Sequence, residues 1–243
     1  MTRICTSFLI LSALLASGCP STAGPQDTSL VATAHAAPPP SSVGLDPRRG
    51  DEVGLVFEAF LSPQQEPGEE SDTPKSTPAM FRSTTPSLTR DERVAAGHRG
   101  HGVFRFSKDL SRVWIDVKIE GVDLETINMF HVHCGGPGIL GPILLDFAQV
   151  TDLRQNFADD GVLSVEVTNA HIVATAEHGH GAIAAFTAGC VIPGPSLAPG
   201  LPSKVSTVAG MAHIASEGEL YFNLHTSGQM YFGDLRGQVL PAQ

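Results

Sequence analysis

Two histidines separated by one residue, His131 and His133, have the types and spacing best suited to chemistry in this sequence. In a β-strand, residues i and i+2 project from the same face, so both imidazoles would point one way. Two adjacent imidazoles provide half of a copper or zinc site. The segment Leu220–His225 alternates in the same manner and places His225 on a polar face. If the two strands meet, His131, His133 and His225 form a three-histidine metal site.

A structural interpretation of the same histidines stays open. Neutral imidazoles can bind loop carbonyls, and the pair would then fix the glycine turn Gly135–Gly138 by hydrogen bonds. If a metal is bound instead, Cys134 or Glu177 is the candidate for the fourth ligand. The sequence predicts the position of the site and leaves both roles possible.

Signatures of catalysis are missing from the sequence. It contains no Gly-x-Ser-x-Gly elbow, no phosphate-binding glycine loop and no His-Glu-x-x-His string. The acidic pair Asp159-Asp160 directly precedes Gly161, where Asp and Gly are expected for a turn. We therefore expect a protein that is not an enzyme.

The N-terminus predicts export. An apolar run at residues 8–16 follows Arg3 and is too short to span a bilayer, as in a secretory signal peptide over residues 1–18. The string LASGC, which ends at Cys19, resembles the bacterial lipoprotein signal. That resemblance implies cleavage before Cys19 and lipidation of this cysteine, with diacylglycerol on its sulfur and palmitate among the expected acyl chains. It also implies attachment to a membrane through this lipid, at the outer membrane, cell surface or periplasm.

Two further cysteines, Cys134 and Cys190, remain after Cys5 leaves with the signal and Cys19 is acylated. Two thiols in an oxidising compartment predict one disulfide. Two free thiols, or Cys134 as a metal ligand, are the alternatives.

Charge and composition restrict the partners and the architecture. A net charge of −10 without a Lys/Arg cluster argues against binding to nucleic acid. Hydrophobic residues make up 42% of the chain, enough for a core, and 25 Gly and 18 Pro favour short strands with many turns. The sequence names no protein or ligand partner.

Alternation of apolar and polar residues predicts the elements that position the histidines. It is strictest over Arg112–Glu120, and one short helix is predicted near Ser203–Ala215. Many short strands favour an all-β, antiparallel β-sandwich. The other predicted strands are Val53–Leu61, Gly102–Phe106, Ile127–His133, Pro142–Phe147, Gly161–Thr168, Gly181–Thr187, Glu219–His225 and Gln229–Val239.

Two long segments lack such periodicity. Residues 19–52 predict a lipidated cysteine followed by a flexible, disordered tether, and residues 62–97, rich in proline, predict a mobile insertion. The folded domain is therefore expected over residues 53–240.

Three strings along this domain resemble the CHRD (chordin) family: FEAFLSPQQ from residue 57, FHVHCGGPGILGPILLDF from residue 130 and LYFNLHTSGQMYFGDLRGQV from residue 220. The resemblance implies an immunoglobulin-like β-sandwich, extracellular, without established catalytic chemistry. Residues 62–97 are longer than the family pattern, and residues 169–202 have no counterpart in it.

These observations lead to a ranked expectation of function. The first is a non-enzymatic exported lipoprotein with a CHRD-type binding or structural module. The alternative is a periplasmic copper or zinc binding protein that uses the three histidines. The FHVH string is also similar to the copper-binding strand of Cu/Zn superoxide dismutase, but the remaining ligand spacing of that enzyme is not evident, so dismutase activity comes last.

Overall fold

The computed structural model describes residues 46–158, 160–178, 190–192 and 203–243. Its strands are Val53–Leu61 (β1), Arg99–Ser107 (β2), Arg112–Glu120 (β3), Ile127–Cys134 (β4), Ile143–Asp146 (β5), Val162–Thr168 (β6), Val191–Ile192 (β7), Ser203–Lys204 (β8), Leu220–Thr226 (β9), Leu235–Gln238 (β10) and Leu240–Pro241 (β11). Its α-helices are Arg90–Ala95 (α1), Leu153–Phe157 (α2), Asn169–His178 (α3) and Val208–Ser216 (α4).

Two antiparallel sheets form the sandwich. The first has the strand order β11-β1-β2-β3-β6 and the second the order β10-β9-β4-β5, while β7 and β8 form a separate pair. The predicted all-β sandwich is confirmed. Strands β1 and β3 begin and end at the predicted residues, and in β3 the alternation of apolar and polar residues runs without interruption.

Aromatic side chains join the two sheets. Phe104 and Phe106 from the first sheet and Phe130 and Phe222 from the second are all 0% exposed. The rings of Phe104 and Phe222 lie 4.8 Å apart between the sheets, and those of Phe130 and Phe222 lie 5.5 Å apart within the second sheet. Each such ring contributes about 1.5–3 kcal/mol by burial. This core holds β4 and β9 in register and so determines what their outer face presents.

The described residues contain four α-helices where one was predicted. Helices α1 and α2 have 6 and 5 residues, too short for a helical period to show in the sequence. The predicted helix begins later than expected, at Val208, because the Thr207 hydroxyl accepts a hydrogen bond from the Gly210 amide and caps it. The strand predicted over Gly181–Thr187 lies outside the described residues.

The segment at residues 62–97, predicted as a mobile insertion, packs against the outer face of the second sheet. Glu70 accepts hydrogen bonds from the backbone amides of Tyr231 and Phe232, at 3.0 and 3.4 Å. Arg93 is 0% exposed and donates to the carbonyl oxygens of Gly233 and Asp234. From the sequence alone, the charged residues of this segment suggest a solvent-exposed loop. In the structure they form hydrogen bonds to backbone groups of the sandwich.

Candidate metal site

Pairing of β4 with β9 brings the predicted ligands together. In this antiparallel register Met129 is opposite His225, and His133 is opposite Tyr221. Because Phe130 and Phe222 enter the core, the alternate side chains point to the other face of the second sheet. The prediction that two strands aim three imidazoles at one place therefore agrees with the geometry.

The three imidazoles form one cluster. One ring nitrogen from each of His131, His133 and His225 lies within 4.8 Å of the others. The ring of His131 is 5.4 Å from the ring of His133 and 5.4 Å from that of His225, centroid to centroid. Tetrahedral ligands around zinc at about 2.0–2.1 Å are separated by roughly 3.4 Å, so side-chain rotation must close the remaining gap.

His133 presents a defined nitrogen. Its Nδ1 atom lies 2.9 Å from the carbonyl oxygen of Gly141, which can only accept, so Nδ1 carries the proton. The Nε2 atom is inaccessible to solvent and has no hydrogen-bond partner among the described residues. An unpartnered, buried lone pair is costly unless a ligand completes it. The structural interpretation thus holds for Nδ1, at Gly141 instead of the predicted Gly135–Gly138 turn, and leaves Nε2 available for a metal.

Burial keeps two of the histidines neutral. It lowers the pKa of His133 to about 3, against a smaller opposing effect of the Gly141 carbonyl. It likewise lowers the pKa of His225 to about 4, and Nδ1 of His225 is buried without a hydrogen-bond partner among the described residues. Neutral imidazole is the form that binds metals, so both are ready for coordination at neutral pH.

A carboxylate lies behind the third histidine. His131 is 2% exposed, and its Nε2 lies 3.7 Å from Oδ1 of Asp146, which is itself 4% exposed. Oδ1 of Asp146 also accepts a hydrogen bond from the Ala148 amide. A carboxylate behind a ligating imidazole orients the ring and raises its basicity in many metal sites.

An aromatic and cationic stack supports His133 from the side. The Tyr221 ring lies parallel to the imidazole at 5.0 Å, and the guanidinium carbon of Arg236 lies 3.4 Å over the Tyr221 ring centre. Arg236 donates to the carbonyl oxygens of Ile139 and Gly136, while the Gly141 amide donates to the Tyr221 hydroxyl. The loop between β4 and β5 is therefore held by the residues that hold His133.

A protonated carboxyl group lies next to the site. Oε1 of Glu66 accepts a hydrogen bond from Nδ2 of Asn223 at 2.6 Å, and Glu66 is 3% exposed. Burial raises the pKa of Glu66 to about 8, and the charges of Arg236 and Arg93 oppose this rise only in part. At neutral pH the group is mostly uncharged.

The candidates for a fourth ligand do not join the cluster. Cys134 is bonded to Cys190 with a Cα–Cα distance of 5.9 Å, which confirms the predicted disulfide and shows that Cys134 as a ligand was wrong. Glu177 is exposed on α3 and is not part of the cluster. Within the described ranges, no fourth His and no Cys, Asp or Glu joins the three-histidine cluster.

The histidines lie at the floor of a pocket of about 360 Å³. Its walls come from Pro74–Phe81, from the β4–β5 loop and from Met230 and Tyr231. Sequence reasoning missed this wall, and it missed Asp146 and Glu66, because neither their types nor their spacing marks them as neighbours of the histidines. The alternation of Leu220–His225 places Tyr221 on the same face as His225, but the sequence assigned no role to the tyrosine.

Fold and site together define a β-sandwich module with a three-histidine cluster on the outer face of one sheet. A family model described as CHRD domain matches residues 57–239. The chain belongs to the CHRD domain family. No curated protein and no solved structure matches it. Across the described residues, no helix is long and apolar enough to cross a membrane.

Proposed function

We propose that this protein is a non-enzymatic, exported CHRD module that captures a copper or zinc ion through His131, His133 and His225. The observation that carries the proposal is the convergence of three ring nitrogens within 4.8 Å of one another. Nε2 of His133 and Nδ1 of His225 are inaccessible to solvent and have no hydrogen-bond partner among the described residues, and leaving such atoms unsatisfied destabilises the folded state unless a ligand completes them.

The ligand set selects the class of ion. Imidazole nitrogens suit copper and zinc, whereas calcium and magnesium require oxygen ligands. Burial holds the pKa values of His133 and His225 at about 3 and about 4, so protons do not compete with the metal near neutral pH. The carboxylate of Asp146, 3.7 Å from His131, balances part of the charge of a bound cation.

Metal capture is tested on the purified full chain. Metal is removed with a chelator, copper or zinc is restored, and the dialysed protein is measured by elemental analysis. We expect about one ion per chain for the wild type, and loss of the ion in a His133→Gln and His225→Gln double variant. The matched control is His213→Gln, an exposed histidine on α4 outside the cluster.

Folding of the variants is checked by circular dichroism, since loss of the imidazoles can also remove the Gly141 hydrogen bond. If the double variant does not fold, the metal content of the dialysed wild type alone decides the proposal. A wild-type chain that retains no stoichiometric copper or zinc after dialysis contradicts metal capture and leaves the structural interpretation of the histidines.

Export and lipid anchoring are part of the same proposal. The Cys134–Cys190 disulfide supports an oxidising compartment. Cys19, the proposed lipidation site, lies outside the described residues. We expect the mature protein in a bacterial host to carry acyl chains on Cys19, by mass spectrometry, and to partition into a detergent phase. A Cys19→Ser variant should remain unacylated and unprocessed at that site, while a Cys5→Ser variant, changed within the signal peptide, should be acylated normally.

A further inference from the structure

The pocket above the three histidines has more room than a metal ion needs. Its volume is about 360 Å³, in the range of pockets that enclose small organic molecules. Its lining includes the apolar residues Pro74, Pro78 and Phe81 from one segment and Leu140 and Ile143 from another. A metal with three imidazole ligands keeps an open position, and here that position faces an apolar cavity.

The charge of the pocket indicates the donor group. Among the described residues that line it, no Asp, Glu, Lys or Arg is present. The charged groups closest to the cluster lie behind it: Asp146 at His131, Glu70 and Asp234 at His225, and Arg236 at His133. The open side of the site carries no fixed charge, so an anionic donor there would meet the cation in surroundings of low polarity, where their attraction is strong.

The rim of the pocket indicates the rest of the ligand. Leu140 is 50% exposed, and its neighbour Ile139 is 57% exposed. Met80, between the wall residues Pro78 and Phe81, is 66% exposed. Leu140 belongs to the lining, and Ile139 and Met80 are chain neighbours of lining residues, so both segments that line the pocket carry exposed apolar side chains, as expected of a site that receives an apolar body from solution.

From these observations we infer that the pocket binds a small apolar organic anion whose single carboxylate or phenolate donor completes the coordination of the metal. This inference rests on the proposed metal site and adds the class of ligand to it. The anionic atom takes the open position at the histidines, and the apolar body lies between residues 74–81 and residues 140–143.

Cobalt(II) is the probe metal, because its visible absorption changes when the donor at its open position changes. The full chain is loaded with cobalt, dialysed and assayed for cobalt content before any ligand is added. Benzoate, acetate and benzyl alcohol are then titrated separately. They supply an anion with an apolar body, an anion without one, and an apolar body without the anion.

Benzoate is expected to change the cobalt spectrum at concentrations about tenfold or more below those of acetate, because burial of the ring adds to the bond with the metal. Benzyl alcohol should leave the spectrum unchanged. A Leu140→Ser variant should lose most of the preference for benzoate. Leu240→Ser is the matched control, since Leu240 is 52% exposed and lies outside the pocket lining.

The outcomes separate the two proposals. If cobalt stays bound but acetate equals benzoate, or benzyl alcohol equals benzoate, or Leu140→Ser keeps the full preference, the inference about the ligand is overturned and metal capture stands. If benzoate does not change the spectrum of the cobalt-loaded protein, the same conclusion holds. If the dialysed wild type contains no cobalt, copper or zinc, both proposals fail.

Discussion

The carbonyl oxygen of Gly141 accepts a hydrogen bond from Nδ1 of His133 at 2.9 Å, which assigns the tautomer of this histidine. Its Nε2 atom then carries the lone pair. We expect nitrogen NMR of the metal-free protein to show His133 protonated on Nδ1, and addition of zinc to shift its Nε2 resonance. The exposed His213 should not respond. A zinc-induced shift of Nδ1 in place of Nε2 would contradict the assignment.

The Tyr221 hydroxyl connects the same loop to the site. It accepts a hydrogen bond from the Gly141 amide at 3.0 Å, while its ring stacks on His133. A Tyr221→Phe variant keeps the stack and loses the hydrogen bond. We expect zinc affinity, measured by competition with a chelator, to fall about tenfold, as for other residues that orient metal ligands. Removal of the acceptor should also lower the free energy of unfolding by about 1 kcal/mol. An unchanged affinity would show that Gly141 is positioned without Tyr221.

The disulfide closes a loop of 56 residues next to the site, from Cys134 to Cys190. In the chain-entropy model a crosslink of this length raises the free energy of unfolding by about 4 kcal/mol. A Cys134→Ser and Cys190→Ser double variant should therefore unfold at a lower urea concentration, with a free energy of unfolding that is lower by about 4 kcal/mol. Wild type in a reducing agent should match the variant, and the reductant should leave the variant itself unchanged. Equal stability of wild type and variant would contradict this.

The raised pKa of Glu66 predicts that the free energy of unfolding falls as the pH rises. Because burial raises its folded pKa to about 8, the folded state holds a proton that the unfolded state releases near its ordinary value of 4.5. Between pH 5 and 8 this group lowers the free energy of unfolding by up to about 1.4 kcal/mol per pH unit. A Glu66→Gln variant removes the slope and keeps the oxygen that accepts from Asn223. The variant's free energy of unfolding, measured by urea titration, should exceed that of the wild type by more at pH 8 than at pH 5. A difference that does not change with pH would be evidence against the raised pKa.

The histidines predict an unusual pH range for metal binding. Their pKa values are lowered to about 3 for His133 and about 4 for His225, so both remain neutral at pH 5. Protonation of these two ligands should therefore not weaken zinc binding between pH 7 and 5, and should begin to do so only near pH 4. Two histidines at their ordinary pKa would lose affinity roughly 1,000-fold over that range. Competition titrations with a pH-corrected chelator distinguish the two outcomes.

The same lowered pKa values oppose the effect of Glu66 on folding. The unfolded chain takes up protons on His133 and His225 below their ordinary pKa of 6.5, while the folded chain does not until about pH 4. Their contribution to stability is therefore present above pH 6.5 and is lost as the pH falls towards 4. Together with Glu66, this places the maximum stability of the metal-free protein near pH 6.5.

The local sequence pattern was sufficient to predict the β-sandwich and the shared orientation of His131 and His133 in the site. Strict alternation identified β3 with its observed bounds, and the two-residue spacing of His131 and His133 put both imidazoles on one face. Both results depend only on the pleat of a strand, which repeats every two residues and is visible in any single sequence. The resemblance of three strings to the CHRD family agreed with the family model over residues 57–239.

Tertiary structure alone decided what surrounds those histidines. Which strand lies beside β4 depends on long-range pairing, and that pairing placed His225 within reach and stacked Tyr221 on His133. The segment at residues 62–97 gives no periodic signal, yet the carboxyl group of Glu66 and the guanidinium group of Arg93 are buried against the second sheet. Burial and hydrogen bonding between residues distant in the chain determine these contacts. A sequence shows which side chains share a face, and only the fold determines what covers that face.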